Sequence, residues 1–158
     1  MISLKRKESG FTLVELLIVI VVIGILAAIV ITTFTGVQKK GRDAERKSDV
    51  KSIASHMEIY FSENSRYPTL TDLNTATWRT ANAQGLNDDL LEDPSNTGTT
   101  TIAATAPGGT SSTYQYSYVP SPAGCDNTAT NGDCTDFTLE ANLENEDANF
   151  VIEGSNTP

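Results

Sequence analysis

Few side chains in this 158-residue chain can do chemistry. It has one histidine, His56, and two cysteines, Cys125 and Cys134, which enclose the ten-residue stretch CDNTATNGDC. Two cysteines without a histidine nearby make a poor metal site. Such a pair stays as thiols in a reducing cytosol and is expected to be bridged outside the membrane. Three carboxylates, Asp126, Asp133 and Asp136, lie in or beside this stretch. Calcium takes six to eight oxygens, and Asn127, Asn131 and backbone carbonyls would have to supplement the three acids. The spacing does not fit an EF-hand, so solvated acids are the simpler alternative to a calcium site. No nucleophile, base and orienting group can be assembled, and no glycine loop cradles phosphate. Enzymatic activity and ATP binding are therefore not expected, nor is any cofactor beyond the possible calcium. The remaining chemically distinctive group is Glu15, an acid at the head of a long apolar run.

The run that positions Glu15 is Leu16 to Ile31, apolar on every side of a helix. A helix without a polar face must be surrounded by lipid or by other apolar helices. From Phe11 the segment has 21 residues, about 31 Å of helix, which matches a hydrocarbon core of about 30 Å. An acid placed deep in such a segment costs up to about 3 kcal/mol on insertion, so its presence needs a reason. One reason is a capping box, with Thr12 as N-cap and Glu15 three residues on satisfying free helix N–H groups. Upstream lie Lys5, Arg6 and Lys7, then the small residue Gly10. A secretory signal peptide would place its cleavage site after the apolar run. Here Ala27 and Ala28 fall inside the run, with more isoleucine and valine beyond.

With its basic leader and a glycine directly before phenylalanine, the stretch GFTLVELLIVIVVIGILAAI resembles the N-terminus of the type IV pilins and their pseudopilin relatives. The resemblance implies that a prepilin peptidase removes residues 1–10 by cutting between Gly10 and Phe11 on the cytoplasmic side. Phe11 then becomes the N-terminus and is N-methylated, and Glu15 becomes the fifth residue of the mature chain. It further implies a single-pass membrane precursor with its N-terminus inside, which leaves lipid to form a helical homopolymer at the cell surface. An assembly platform and partner ATPases would drive this. Removal of the leader creates an α-amine at Phe11, and Glu15 is the acid within the apolar segment that can neutralise it, which assigns Glu15 to subunit register and assembly. Outside the membrane, Cys125 and Cys134 are expected to form a disulfide, with Asn131-Gly132 as the turn.

Charge is unevenly distributed. The net charge is −9, but residues 64–158 hold thirteen acids against Arg66 and Arg79, and Lys39 to Lys51 holds six bases against three acids. An acidic head repels polyphosphate and excludes nucleic-acid binding by that part of the chain. The basic collar is expected to be solvated or to pair with acids on neighbouring subunits. Charge alone does not orient the membrane segment, because Lys5–Lys7 on one side are balanced by Lys39, Lys40 and Arg42 on the other.

The chain divides into a leader (1–10), a membrane or filament-core helix (11–31), an amphipathic helix (32–63) and one small head (64–158). Helical periodicity continues through Phe34, Val37, Ala44, Val50, Ile53, Ala54, Met57, Tyr60 and Phe61. Opposite this stripe, Asp43 and Lys47 read as an i,i+4 surface pair. Gly24, Gly36 and Gly41 are the places where the helix would bend. Tyr67-Pro68 ends it, and Thr71 is the expected cap of a short helical turn through Asn74. Trp78, Leu90 and Leu91 are expected to anchor the connection to the core. Ser95 to Thr113 reads as a flexible surface loop, bare and solvated, with O-linked sugars as the alternative. Alternation at Tyr114, Tyr116 and Tyr118, at Phe137 to Leu143, and at Phe150 and Ile152 predicts three strands. They would form an antiparallel sheet whose apolar face is covered by the helix, with the tyrosines buried against Ile53, Met57 and Phe61. The expected fold is α+β and pilin-like. Two functions from different classes fit: a structural subunit of a pilus or of a type II secretion-like pseudopilus, and a signal-anchored extracellular binding protein.

Overall fold

The computed structural model describes residues 10–105, 116–146 and 148–155. Lys5, Arg6, Lys7, Tyr114 and the far part of the Ser95–Thr113 loop lie outside the described residues. The chain divides into two compact units, one ending at Gln38 and one beginning at Lys39. Helix α1 runs unbroken from Leu13 to Asn64, and no change of helical assignment occurs at Gly24, Gly36 or Gly41. It stops where expected. Ser65 adopts the left-handed conformation (φ 56°), and its N–H bonds to the Phe61 carbonyl at 2.7 Å, a helix-ending geometry usually left to glycine.

In the first unit α1 has no covered face. Large apolar side chains from Leu16 to Ile31 are between 48% and 63% exposed. This is the one described helix long and apolar enough to cross a membrane, judged by length and composition.

In the second unit α1 is followed by α2 (Leu70–Asn74), α3 (Ala76–Asn82), a 3-10 turn (Asp88–Leu91), and strands β1 (Tyr116–Ser121), β2 (Asp136–Ala141) and β3 (Phe150–Glu153). The sheet is antiparallel in the order β1-β2-β3, with Tyr118 opposite Leu139 and Leu139 opposite Ile152. The α+β fold is thus as the alternation predicts. Strand β1 starts at Tyr116 and extends to Ser121.

One core joins the elements. Val50, Ile53, Ala54 and Met57 of α1 share a buried cluster with Tyr116, Tyr118, Phe137 and Leu139 of the sheet, and Trp78 and Leu90 pack against it. Tyr67 sits at the centre: its ring stacks on Phe61 at 4.5 Å and meets Phe137 edge-on at 4.8 Å. Its hydroxyl donates to Glu58 at 3.0 Å, so the polar end of a fully buried residue is satisfied. Gly154 closes the last strand against β2. A β-carbon there would collide with the Asp136 carboxylate and press on the Phe137 ring.

Several sequence expectations are corrected. The cap of α2 is Thr69, whose hydroxyl accepts from the Asp72 N–H at 3.1 Å while the Asp72 carboxylate accepts from the Thr69 N–H at 2.9 Å. Thr71 lies inside the helix, because the reciprocal acid three residues after Thr69 makes the stronger cap. Phe34 and Val37 are 58% and 61% exposed, and Ala44 is exposed as well. The described part of the Ser95–Thr113 loop is not wholly a solvated surface loop: Ile102 is buried, Asn74 bonds both its N–H and its carbonyl, and Ala103 bridges Ser117 of β1.

The disulfide joins Cys125 and Cys134, with Cα atoms 5.2 Å apart. Within the loop, Asn127 accepts from the Cys134 N–H at 2.8 Å and donates to the Tyr67 carbonyl at 3.0 Å. A loop this short removes about 2 to 3 kcal/mol of unfolded-state entropy when closed. Replacing both cysteines by serine should lower the stability of the full chain by about that amount, measured by urea denaturation in detergent. No loss would show that the loop's hydrogen bonds alone hold it.

Candidate assembly segment and an ionic clasp

The apolar end of α1 begins at a capping box. Glu15 folds back so that Oε2 accepts from both the N–H and the hydroxyl of Thr12, each at 2.9 Å, and its own N–H donates to the Thr12 hydroxyl at 3.2 Å. The box places the acid over the residue that follows Phe11. Phe11 itself is 89% exposed. A carboxylate held at a helix start favours nearby positive charge and satisfies free N–H groups, so capping and neutralisation of an adjacent amine are compatible in this geometry.

In the second unit the helix face that meets the rest of the chain is charged at its beginning. Asp43, Arg46, Val50, Ile53 and Met57 recur at alternating steps of three and four and are all buried. Arg46, fully buried, is gripped from three directions. It donates to Asp93 at 2.7 and 3.1 Å, to Asp43 at 2.8 Å and to Glu144 at 3.0 Å, with Ser95 accepting at 2.6 Å. Arg42 forms a two-pronged pair with Glu144, both bonds 2.6 Å, the arrangement in which arginine binds carboxylate best. Asp43 also accepts from the backbone N–H groups of Glu144 and Asn145, at 2.8 and 3.0 Å. Two cations and three acids from three stretches of chain therefore close on one another.

These contacts correct the expected surface pair: Asp43 bonds Arg46 and the 144–145 backbone, and Lys47 pairs with Glu146. The collar's Arg42, Arg46 and Lys47 are thus matched by acids of their own head. Sequence reasoning missed the clasp, although Asp43 and Arg46 fall in phase with the buried stripe.

Charge shifts follow from the contacts. Arg42 first, then Arg46, hold the Glu144 carboxyl down from 4.5 to about 2 against the opposing effect of burial. Burial pushes Asp43 up, but N–H donors from Glu144 and Asn145 outweigh it and lower its pKa. Burial raises Asp49, which accepts from the Tyr116 hydroxyl at 2.7 Å. A depressed acid stabilises the fold above its unfolded pKa and loses that contribution as pH falls through the folded value. For Glu144 the window runs from 4.5 down to about 2, and the amount at stake is about 3 kcal/mol. Melting of the full chain in detergent should therefore shift to lower temperature as pH falls through this window, and Glu144→Gln should remove most of that slope. An equal slope in the variant would assign the effect to other acids.

The other residues singled out in the sequence are placed as follows. Asp126 accepts from Thr128 and Asn131, Asp133 from Arg66 at 3.4 Å, and the Asp136 carboxylate from the Phe137 N–H. Among the described residues no three histidine, cysteine, aspartate or glutamate side chains gather as a metal site. His56 sits on α1 with its ring 3.2 Å from where a β-carbon on Gly85 would lie.

Residues 5–31 match the family model described as the prokaryotic N-terminal methylation motif. The chain is 40% identical over 65 residues to the type II secretion system core protein G of Aeromonas hydrophila, covering 41% of this chain and 46% of that protein. To the protein of the same description from Dickeya chrysanthemi it is 38% identical over 66 residues, covering 42% and 43%. It is 43% identical over 61 residues to the type IV major pilin protein PilA of Myxococcus xanthus, covering 39% and 28%. The chain thus spans less than half the length of these curated relatives. No solved structure matches it. The likeness lies in the N-terminal segment, which is similar to those of type II secretion core proteins G and of a type IV major pilin.

Proposed function

We propose that this chain is the structural subunit of a type IV pilus-like filament, held in the cytoplasmic membrane by α1 until it assembles. The observation that carries the proposal is an apolar helix exposed on all faces within the span of the methylation motif. Such a helix needs an apolar surrounding, and both a bilayer and a bundle of identical helices provide one. In this reading a prepilin peptidase cuts between Gly10 and Phe11, Phe11 is methylated, and an assembly platform with its ATPase moves the helix out of lipid. The N-terminus lies inside and the head outside. Structural use also fits a head whose Arg42, Arg46, Asp43, Asp93 and Glu144 are engaged in holding it together.

The test is to shear filaments from cells making the chain, image them by electron microscopy and weigh the subunit. The mature N-terminus should be Phe11, and Gly10→Val should retain the leader and abolish filaments. Subunits that still begin at Met1 would overturn the proposal in favour of a signal-anchored binding protein. A pseudopilus is the second reading, favoured by the relatives named as type II secretion proteins. It predicts filaments too short to be sheared at natural expression and long ones on overproduction.

A further inference from the structure

Resting on the filament proposal, the inference concerns which surfaces of the head meet. Arg42, Arg46 and Lys47 are satisfied by acids of their own chain. Lys39 and Lys40, at the start of the second unit, are exposed and have no ion-pair partner among the described residues. At the other end of the same helix the balance is reversed. The last turn of α1 contains no basic residue, and Glu63 is exposed there without an ion pair among the described residues. A helix C-terminus carries partial negative charge and favours cations, so an acid at that position adds to an unmet demand. The adjacent Arg66 is engaged by Asp133.

Beside Glu63 lies an open notch of about 340 Å³ between α1 and the end of α3, lined by His56, Ile59, Ala81 and Ala83 among others. Ile59 is 57% exposed. A large apolar side chain left open beside an unpaired acid suits a ligand that is both greasy and cationic. Lys39 and Lys40 supply the cations, and in the sequence they follow the apolar residues Phe34 and Val37.

We infer that the notch at Ile59 and Glu63 receives the Lys39-Lys40 turn of a second copy of this chain. The two surfaces cannot meet within one chain. Lys40 and Glu63 are 23 residues apart on one helix, about 34 Å along its axis. The surfaces also differ from each other, so the contact is heterologous and leaves a free donor surface at one end of the chain of subunits and a free acceptor surface at the other. That arrangement propagates instead of closing into a dimer. The neighbouring subunits it joins are displaced along the helix axis by about this same separation.

The test uses the full chain in cells that assemble it. In the Lys40→Cys, Glu63→Cys double variant, mild oxidation should yield a ladder of crosslinked multimers on non-reducing gels, and each single variant should give no ladder. Glu63→Lys should lose most filament yield, as should Lys39→Glu with Lys40→Glu, and combining the reversals should recover it. Wild-type filaments together with a double-cysteine variant that remains monomeric would overturn this contact and leave the filament proposal standing. A crosslinked dimer that never extends would also overturn it, because the contact would then be closed. If the wild-type chain forms no filaments at all, both proposals fall.

Discussion

Replacing Arg46 with alanine is expected to destabilise the head by about 3 to 5 kcal/mol, one of the two largest effects anticipated in this chain. The side chain is fully buried, and its removal leaves Asp43, Asp93 and Glu144 close together with Arg42 as their remaining guanidinium. Uncompensated buried charge is what makes such deletions severe; an exposed pair is worth about 1 kcal/mol at most. Lys47→Ala, which removes the outer pair with Glu146, serves as the control and should cost little. Trp78, the single tryptophan, packs 5.1 Å from Tyr60 and reports the same core. Urea denaturation of the full chain in detergent, followed by its fluorescence, measures both variants. Equal losses for Arg46→Ala and Lys47→Ala would show that the clasp does not carry the stability assigned to it.

The second large effect is expected in assembly. With the proposed cut between Gly10 and Phe11, Phe11 would carry an α-amine that is mostly protonated at neutral pH, with an unmodified pKa of about 7.7 to 8.0. In a filament core of leucine, isoleucine and valine that cation needs a counter-charge, and Glu15 already lies folded over Thr12. Loss of one member of a buried pair costs about 3 to 5 kcal/mol. Glu15→Ala should therefore insert and be cleaved normally, because the proposed cleavage reads Gly10 and the leader, yet assemble poorly. If Glu15 acts only as a cap, its removal costs about 1 kcal/mol, and Thr12→Ala should match it because both variants break the same reciprocal bonds. Filament yield for the two single variants separates the roles, and equal yields would reject the assembly role.

Much of this architecture was legible in the chain because it is periodic. The apolar run of α1, the alternation in β1 and β2, and the helix stop before Tyr67-Pro68 each follow from local pattern. What was not legible depends on distant partners. Asp43 and Arg46 fit the buried phase of α1, but a charged residue in that phase signals burial only if partners are known. Those partners, Asp93 and Glu144, are 47 and 98 residues from Arg46. Thr69 was missed as a cap for a different reason: Thr71 is also a good cap residue, and the deciding feature is the reciprocal bond from Asp72. At the N-terminus, Thr12 and Glu15 were legible because their partners are three residues apart.

The clasp also sets an order of events. Asp43 takes its backbone donors from residues 101 and 102 positions later, so no nascent chain can complete it before Asn145 is available. Contacts this far apart in sequence carry a large loop-closure cost and form late. Until then Arg46 lacks one of its three acids, Glu144, and Asp43 lacks both of its backbone donors. During synthesis the helix therefore waits for residues 144 and 145, and a protease or chaperone that samples this interval meets the unfinished clasp face of α1.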